Sequence, residues 1–541
     1  MTVVRFSRKL FEKEIGKLDE SMQERISMFG TPVEAVTDEE LEVDVTPNRP
    51  DLISYQGFKR NFLALVGKKT GLTNYKINPP EENFKVTIDS SLKTIRPYTA
   101  CAIVKGLKFD NEKIKEIIEI QEKLHLTVGR KRKKLAIGIY PLEKIKLPIE
   151  FKALEPDKIR FIPLESEREM SGLEILQRHP TGRDYAHLLA GKEKFPVFMD
   201  SEGKILSMPP IINSQQTGKI TEETKDVFIE CSGFDFNILK KCLNILVTAL
   251  ADMGGKIYQM EIKGLIKEKT PDLTPEERPI SLENTNKLLG LQLTEKQLKE
   301  LLEKAGYDYT KGKVLIPAWR TDILHEVDLI EDVAIAYGYE KIIPEIPKIS
   351  TIGSEDPKEI IKRKICEILS GLGFLEVSNY HLTTIQDQFE KMGEKEAKEF
   401  IPVENSKTDY NILRCNLKHY LMKNFSENVD TEYPQRIFET GRVFTNKGLI
   451  EEKEKLAIAV TPGNFTELKQ DVLYLFRMLS KEVEIKETEK PEIGFIEGRT
   501  ADILIKNKKV GQLGEIHPKI LRNWHLKMPI AILEIDLSNI F

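Results

Sequence analysis

Apolar and polar positions alternate with two different periods along this chain, and the changes of period divide it. Glu40-Leu41-Glu42-Val43-Asp44-Val45-Thr46 alternates strictly, which predicts a strand with one apolar face. Pro47-Asn48-Arg49-Pro50-Asp51 breaks that pattern as a turn, and Leu52 to Leu65 resumes it with helical spacing. From about 86 to 270 strand signals dominate. Phe195 to Ser207 predicts a hairpin around Asp200–Gly203, and Leu239 to Met253 predicts an apolar helix ended by Gly254 and Gly255. Asp272 to Pro279 reads as a linker. Leu282–Leu289 and Thr294–Ala305 then predict two helices, the second opened by Thr294 with Gln297 three positions on, a capping pattern. A strand over Lys313–Pro317 and a helix ending at Gly338 complete this small unit. A second linker, Ile342 to Pro357, precedes an amphipathic helix over Glu359–Leu372. Strands are expected over Leu375–Leu382, Arg436–Phe444, Lys455–Val460, Ala501–Ile505 and Pro529–Ile535, with helices between them. The expected class is α+β and multidomain, the last domain built on an antiparallel sheet.

Bulk properties narrow the function. A chain of 541 residues holds three or four domains. Lys+Arg 82 against Asp+Glu 86 gives a net charge of −4, which excludes a globally basic nucleic-acid binder. A local basic run, Gly129-Arg130-Lys131-Arg132-Lys133-Lys134, reads either as a solvated face or as a patch for phosphates. Cys101, Cys231, Cys242, Cys366 and Cys415 form no C-x-x-C pair and read as free thiols of a reducing cytosol. The segment Met1 to Lys9 has no apolar signal region, and no apolar run has the roughly 18 to 20 residues of a membrane span. The expectation is a soluble cytoplasmic protein with no membrane partner.

Three constellations carry candidate chemistry. Asp322, Asp328, Glu331 and Asp332 lie within eleven positions, the last three at i, i+3 and i+4 of one helix face. Such carboxylates repel unless neutralised. An all-oxygen set suits a hard cation such as Mg²⁺, and the alternative is a solvated acidic face. The second constellation runs from His179-Pro180-Thr181-Gly182 through Ser207, Asn213-Ser214 and Thr217 to Glu230-Cys231-Ser232. Its hydroxyl, amide and carboxyl groups suit either an ester and a water molecule or plain turn chemistry. His179 reads as structural rather than as a base. The third is Gly511 to Pro518, too poor in glycine for a phosphate loop, with His517 read as a turn residue.

Longer strings add a resemblance. Trp319-Arg320-Thr321-Asp322-Ile323, Asp328-Leu329-Ile330-Glu331-Asp332-Val333-Ala334 and Tyr337-Gly338-Tyr339-Glu340-Lys341-Ile342 resemble the B5 domain of the phenylalanyl-tRNA synthetase beta-subunit family. Thr46 to Leu52 resembles that family's N-terminal signature, and the strings from His179 to Asp235 resemble its B3/B4 domain. Arg436 to Phe444 is similar to the second motif of class II synthetases. It continues as Thr445-Asn446-Lys447, with Thr and Lys at the places where an active enzyme has Arg and Glu to clamp ATP. Ala531 to Leu537 likewise lacks the arginine of the third motif.

The resemblance, to the short archaeal and eukaryotic type, implies four domains: a B1-like domain over 1–85, a B3/B4 tRNA-editing domain over 86–270, a winged-helix-like B5 domain over 271–346, and an inactive class II synthetase-like domain over 355–541. It implies an alpha-subunit partner in a tetramer of two alpha and two beta chains, tRNA-Phe as substrate, and ATP bound by alpha. It implies Mg²⁺ on Asp322, Asp328, Glu331 and Asp332. It also implies hydrolysis of mischarged Tyr-tRNA in a pocket walled by Ser207, Asn213 and Ser232, where Glu230 reads the tyrosyl hydroxyl. Two rivals remain: a scaffold that binds alpha and tRNA without hydrolysis, and a metal-dependent nucleic-acid hydrolase. The synthetase-like domain argues against the second.

Overall fold

The computed structural model describes residues 2–395 and 399–540. Met1, residues 396–398 and Phe541, which fall within the expected first and last domains, lie outside the described residues. The chain forms two compact units, Met1–Ile346 and Pro347–Phe541, so the proline-bearing second linker contains the division.

In the first unit, Glu40–Val45 pairs on both sides, with Thr2–Ser7 and with Val33–Val36. The helix expected from Leu52 begins at Tyr55. Pro50–Leu52 instead make a single 3-10 turn, and Ser54 caps the helix by accepting the Gly57 N–H at 2.9 Å. Phe6, Phe11, Phe29, Phe58 and Phe62 interlock behind this layer, with Phe58 and Phe62 stacked at 5.4 Å. Their core is continuous with Ala102, Val104, Ile137 and Ile229 of a larger sheet and with the helix Phe236–Asp252.

That larger sheet positions the site. Its main path runs through Ile212–Asn213, Ile205–Met208, Phe195–Met199, Ile149–Leu154, Lys85–Ile88, Lys256–Gly264, Tyr98–Lys105, Val227–Gly233 and Leu135–Pro141. The expected hairpin is there, with Phe198 opposite Ser207. The two ends of the path are far apart in strand order, yet Tyr140 at one end donates to Ser207 near the other at 2.8 Å. The sheet therefore curls until its edges meet. Phe151 and Phe198, stacked at 4.1 Å, fill the inside of the curl with Phe228 and Ile103.

The segment Asp272–Pro279 is not wholly a linker. Glu276–Pro279 pairs antiparallel with Lys313–Ile316. Its Glu-Glu-Arg-Pro sequence is a charged edge strand, which carries no apolar period to read. Helices Leu282–Leu289, Glu295–Lys304 and Glu326–Tyr337 pack on this small sheet, and Thr294 and Gln297 form the expected capping box.

In the second unit, helix Pro357–Gly371 precedes a seven-stranded sheet, antiparallel except where Leu375–Glu376 joins Gln435–Asn446. The strand expected over Leu375–Leu382 is broken: Leu382–Thr383 belongs to a separate three-stranded sheet. Between the pieces, Asn379 turns inward and donates to Glu439 at 2.7 Å. Lys508–Ile516 is an interior strand, lying between Phe495–Ile505 and Ala531–Asp536. Its glycines admit neighbouring backbone, since a Cβ on Gly511 would lie 2.0 Å from the Glu534 carbonyl oxygen. His517 caps the helix that follows.

The stacked aromatic layer predicts a large truncation cost. Phe58→Ala should remove about 3–5 kcal/mol, read as a lower thermal midpoint of the chain. A midpoint within one degree or so of the parent would show that the layer repacks without Phe58.

Candidate functional site

The seam of the curled sheet is polar. Tyr140, fully buried, donates its hydroxyl to Ser207 Oγ at 2.8 Å and lies 3.4 Å from Asn213 Oδ1 and 3.3 Å from Glu230 Oε1. Strand pairing fixes all four groups: Ser207 stands opposite Asn213, and Glu230 stands opposite Gly138. Gly138 is required there, because a Cβ would fall 2.1 Å from the Tyr140 hydroxyl oxygen and 2.6 Å from Glu230 Oε1. A cavity of about 510 Å³ opens beside this seam, with Glu230 and Asn213 in its lining and Ile114, Ile117, Ile139 and Ile220 among its apolar walls.

Ser232 is not in the cavity's lining, although its hydroxyl draws the Glu230 pKa down. It shares a face of the same strand with Glu230 but is held by Arg96, whose Nε donates to Ser232 Oγ at 3.1 Å and whose guanidinium also reaches the Ser232 carbonyl at 2.5 Å. Ser207 is buried behind the cavity and reaches it through Tyr140. His179 sits at a helix junction with Nε2 3.0 Å from the Leu164 carbonyl oxygen, consistent with a structural role.

Electrostatics single out Glu230. Burial pushes its pKa up from 4.5 to about 8, against the pull of the Arg96 charge, the Ser232 hydroxyl and Tyr140. Arg96 is itself lowered to about 10, mainly by burial. Among the described residues, Glu230 Oε2 has no hydrogen-bond partner although it is buried. An unpaired buried carboxyl oxygen in a cavity lining has the capacity to bond a polar atom that enters it.

A second wall comes from the helix Asn111–Leu126. His125 Nε2 accepts the Ile137 N–H at 2.8 Å, so its proton is on Nδ1, which faces Glu122 at 3.3 Å. Glu122 also binds Arg132 at 2.8 Å. The His125 hydrogen bond, with the charge of Arg132, holds Glu122 down at about 2.

The four acidic residues of the B5-like segment are split by their surroundings. Arg320 binds Asp322 and Asp332 through one nitrogen, each at 2.7 Å, and the Tyr307 hydroxyl also donates to Asp332. Asp328 Oδ2 caps the helix by accepting the N–H groups of Leu324 and His325. Glu331 is raised by partial burial and by the nearby charges of Asp332, Asp328 and Asp322. Among the described residues its carboxylate has no hydrogen bond or ion pair, and no group of three or more His, Cys, Asp or Glu is gathered as a complete metal shell. Mg²⁺ commonly takes one or two carboxylates and keeps its water. Glu331 and one oxygen of Asp328 are unengaged among the described residues, whereas Asp322 and Asp332 share the single charge of Arg320.

In the second unit, Thr445 and Asn446 lie at the end of a hairpin, paired with Glu451 and Ile450. Lys447 stands 3.8 Å from Glu399. All five cysteines are free thiols, and no helix among the described residues is long and apolar enough to cross a membrane.

Family models match three stretches of this framework: a B3/4 domain over residues 105–246, a tRNA synthetase B5 domain over 279–339, and a phenylalanyl tRNA synthetase beta chain CLM domain over 342–537. A phenylalanine–tRNA ligase beta subunit of Thermococcus sibiricus is 43% identical over 91% of this chain and 89% of its own length. One from Archaeoglobus fulgidus is 39% identical over 100% of this chain and 99% of its own. The crystal structure of an N-terminal fragment of the phenylalanyl-tRNA synthetase beta subunit from Pyrococcus horikoshii superposes with a TM-score of 0.60 at 39% identity. It covers 62% of this chain and 99% of that fragment. The chain belongs to the phenylalanine–tRNA ligase beta-subunit family.

Within this family member, sequence reasoning missed Tyr140, Gly138, Arg96 and the His125–Glu122–Arg132 wall. One signal was available: Ala136-Ile137-Gly138-Ile139-Tyr140 is a strand with glycine at its centre, which marks a close approach.

Glu230 makes stability depend on pH. With a pKa of about 8 against an ordinary 4.5, the folded chain keeps a proton that the unfolded chain releases. The stabilisation is complete below the ordinary value and is lost as pH rises through the folded one. Thermal midpoints should fall across that window and level off above it. Glu230→Gln, which imitates the protonated form, should flatten part of the fall, leaving a share from Glu116, raised by burial to about 7. Parallel curves for parent and variant would show that Glu230 keeps its ordinary pKa.

Proposed function

We propose that this chain supports the ATP-dependent attachment of phenylalanine to tRNA-Phe by an alpha subunit, within a tetramer of two alpha and two beta chains in the cytoplasm. Its own cavity hydrolyses tyrosine mistakenly joined to that tRNA. The observation that carries the second part is the unpaired, buried oxygen of Glu230 in a cavity that also has apolar walls.

Phenylalanine and tyrosine differ by one hydroxyl. An apolar synthetic pocket rejects an added hydroxyl by only about a hundredfold, so a second sieve is needed. The cavity inverts the preference. A tyrosyl hydroxyl satisfies the free Glu230 oxygen beside Asn213, while a phenyl ring would leave that oxygen unpaired at a cost of about 1–3 kcal/mol. With its pKa near 8, Glu230 can pair as acid or as carboxylate, because a phenol both donates and accepts. Tyr140 and Ser207 hold the carboxyl and amide in place, and Arg96 with Ser232 supports Glu230 from behind. The cavity lining contains no Ser-His-Asp arrangement, so hydrolysis rests on positioning a water molecule against the ester, assisted by the neighbouring ribose hydroxyl.

The second unit fits an inactive class II synthetase-like domain: Thr445 and Lys447 stand where ATP would need its clamp, which assigns ATP to alpha. The small module holding Glu326–Tyr337 fits a winged-helix-like B5 domain. Mg²⁺ held by Glu331 and Asp328 would supply the positive charge that their neighbours lack.

Glu230→Ala should slow hydrolysis of preformed Tyr-tRNA by the reconstituted complex roughly ten- to hundredfold, with phenylalanine charging intact. Clearance at the parent rate would place editing elsewhere or leave the chain a scaffold. Asp328→Ala with Glu331→Ala should weaken Mg²⁺-dependent co-purification with alpha more than it lowers the thermal midpoint of the chain alone. Equal pairing with and without Mg²⁺, in parent and variant, would return both residues to a solvated acidic face.

A further inference from the structure

The basic run Gly129–Lys134 joins the helix Asn111–Leu126 to the cavity's edge strand Leu135–Pro141. Arg130, Lys131 and Arg132 all have left-handed backbones, with φ of 47°, 54° and 62°. Three such non-glycine residues in a row are costly, and the conformation persists only where surrounding contacts impose it. Arg132 supplies those contacts. Its guanidinium binds Glu122 and the Ile211 carbonyl, each at 2.8 Å, and lies 4.6 Å from the centre of the Tyr185 ring. The turn also closes on itself through Lys134 N–H to the Gly129 carbonyl at 2.8 Å. Arg132 thus forms part of the cavity wall, while Arg130, Lys131, Lys133 and Lys134 are exposed beside it and make no ion pair among the described residues.

A solvated face requires no such anchoring. The cavity's lining adds another cation, Lys219, against two acids besides Glu230, namely Glu165 and Glu122, the second of which is already paired with Arg132. We propose that Arg130, Lys131, Lys133 and Lys134 form the docking surface for the phosphodiester backbone of the RNA strand whose aminoacylated end enters the cavity. The inference rests on the editing function proposed above. It adds the route: the loop holds phosphates outside while the terminal ester sits inside, and the His125–Glu122–Arg132 chain fixes one relative to the other. In a chain whose net charge is −4, this local cluster is where a polyanion meets uncompensated positive charge beside a cavity.

The test changes Arg130, Lys131, Lys133 and Lys134 together to Gln, leaving Arg132 in place, in the reconstituted alpha–beta complex. Each lost phosphate contact lowers the slope of log KM against log salt by about 0.7–0.9. Deacylation of Tyr-tRNA should therefore show KM raised about tenfold or more at physiological salt, a slope shallower by about 3–4 units, and kcat unchanged. Binding of 3′-tyrosylamino-3′-deoxyadenosine, which carries no phosphate, should match the parent. An unchanged KM and slope, with analogue binding intact, overturns the docking surface and leaves the cavity assignment standing. Failure of the parent to bind the analogue overturns the cavity assignment and this proposal with it. Loss of pairing with alpha without a change in salt slope assigns the loop to a protein contact and also overturns it.

Discussion

The first unit depends on closing a long sheet over a buried carboxyl group. A sheet of this length cannot stay flat: strand twist accumulates, and its apolar inner face must be covered. Here the twist brings the two ends of the path together, and Tyr140 joins them through Ser207, Asn213 and Glu230. Hydrophobic burial of Phe151, Phe198 and Phe228 drives the curl. The polar seam sets where the curl stops, because a displaced Tyr140 would leave several buried groups unpaired. Glu230 is therefore held by the fold rather than by a loop, and its protonation follows from the same burial. Gly138 shows how close the tolerance is, since one methyl group on it would occupy the hydroxyl's position.

A second constraint ties the remaining modules of that unit together. Trp319 is buried against Tyr75 and the Arg60 guanidinium, which in turn binds Asp252 at the end of the helix behind the large sheet. One residue on, Arg320 gathers Asp322 and Asp332. Arg49, paired with Asp51 in the Pro47–Asp51 turn, reaches Asp322 at 4.0 Å. Two sequence-distant segments, 49–51 and 320–332, thus share one alternating set of positive and negative charges. Such buried sets are costly to assemble but are costlier to break singly, so they fix orientation more than they add stability. The acidic string has a double character for this reason. Its inner members are paired with Arg320, and its outer members, Asp328 and Glu331, keep oxygens that no other group engages among the described residues.

Much of this was legible in local pattern. The alternation at Glu40–Val45, the capping pair Thr294 and Gln297 and the stop at Gly338 all concern residues that interact within one element, so their spacing carries the information. What escaped notice depends on distant partners. Glu276–Pro279 is a strand only because Lys313–Ile316 lies beside it. Leu375–Leu382 looks continuous in sequence but is pulled apart by Asn379 bonding to Glu439. Ser232 was expected beside Glu230, and strand parity places both on one face; Arg96, 136 positions away, binds the same hydroxyl and adds a partner that no local pattern shows. No period in the chain announces Arg96, in a short polar stretch before a strand, or Tyr140, in an apolar run; each acquires its role only when the sheet closes.

The second unit supplies the contrast that gives Glu230 its meaning. Its sheet also buries carboxylates. Glu439 gives Oε1 to Arg414 at 2.5 Å and Oε2 to Asn379 at 2.7 Å. Glu534 gives Oε1 to Lys455 at 2.5 Å and Oε2 to the N–H groups of Leu417 and Lys418. Burial pushes Glu534 up, but Lys455 and Lys418 together hold it below its ordinary value. Both oxygens of both residues are engaged, and the positive charges nearby are consumed in doing so. A centre wired in this way is stable and specific. Glu230 is the reverse: one oxygen bonded, one not, and a proton held against the pull of Arg96. Complete pairing marks the centre of the second unit as architecture. Incomplete pairing next to an open cavity is what a binding group must keep, because a group fully satisfied by its own protein has nothing left with which to distinguish a hydroxyl from a hydrogen.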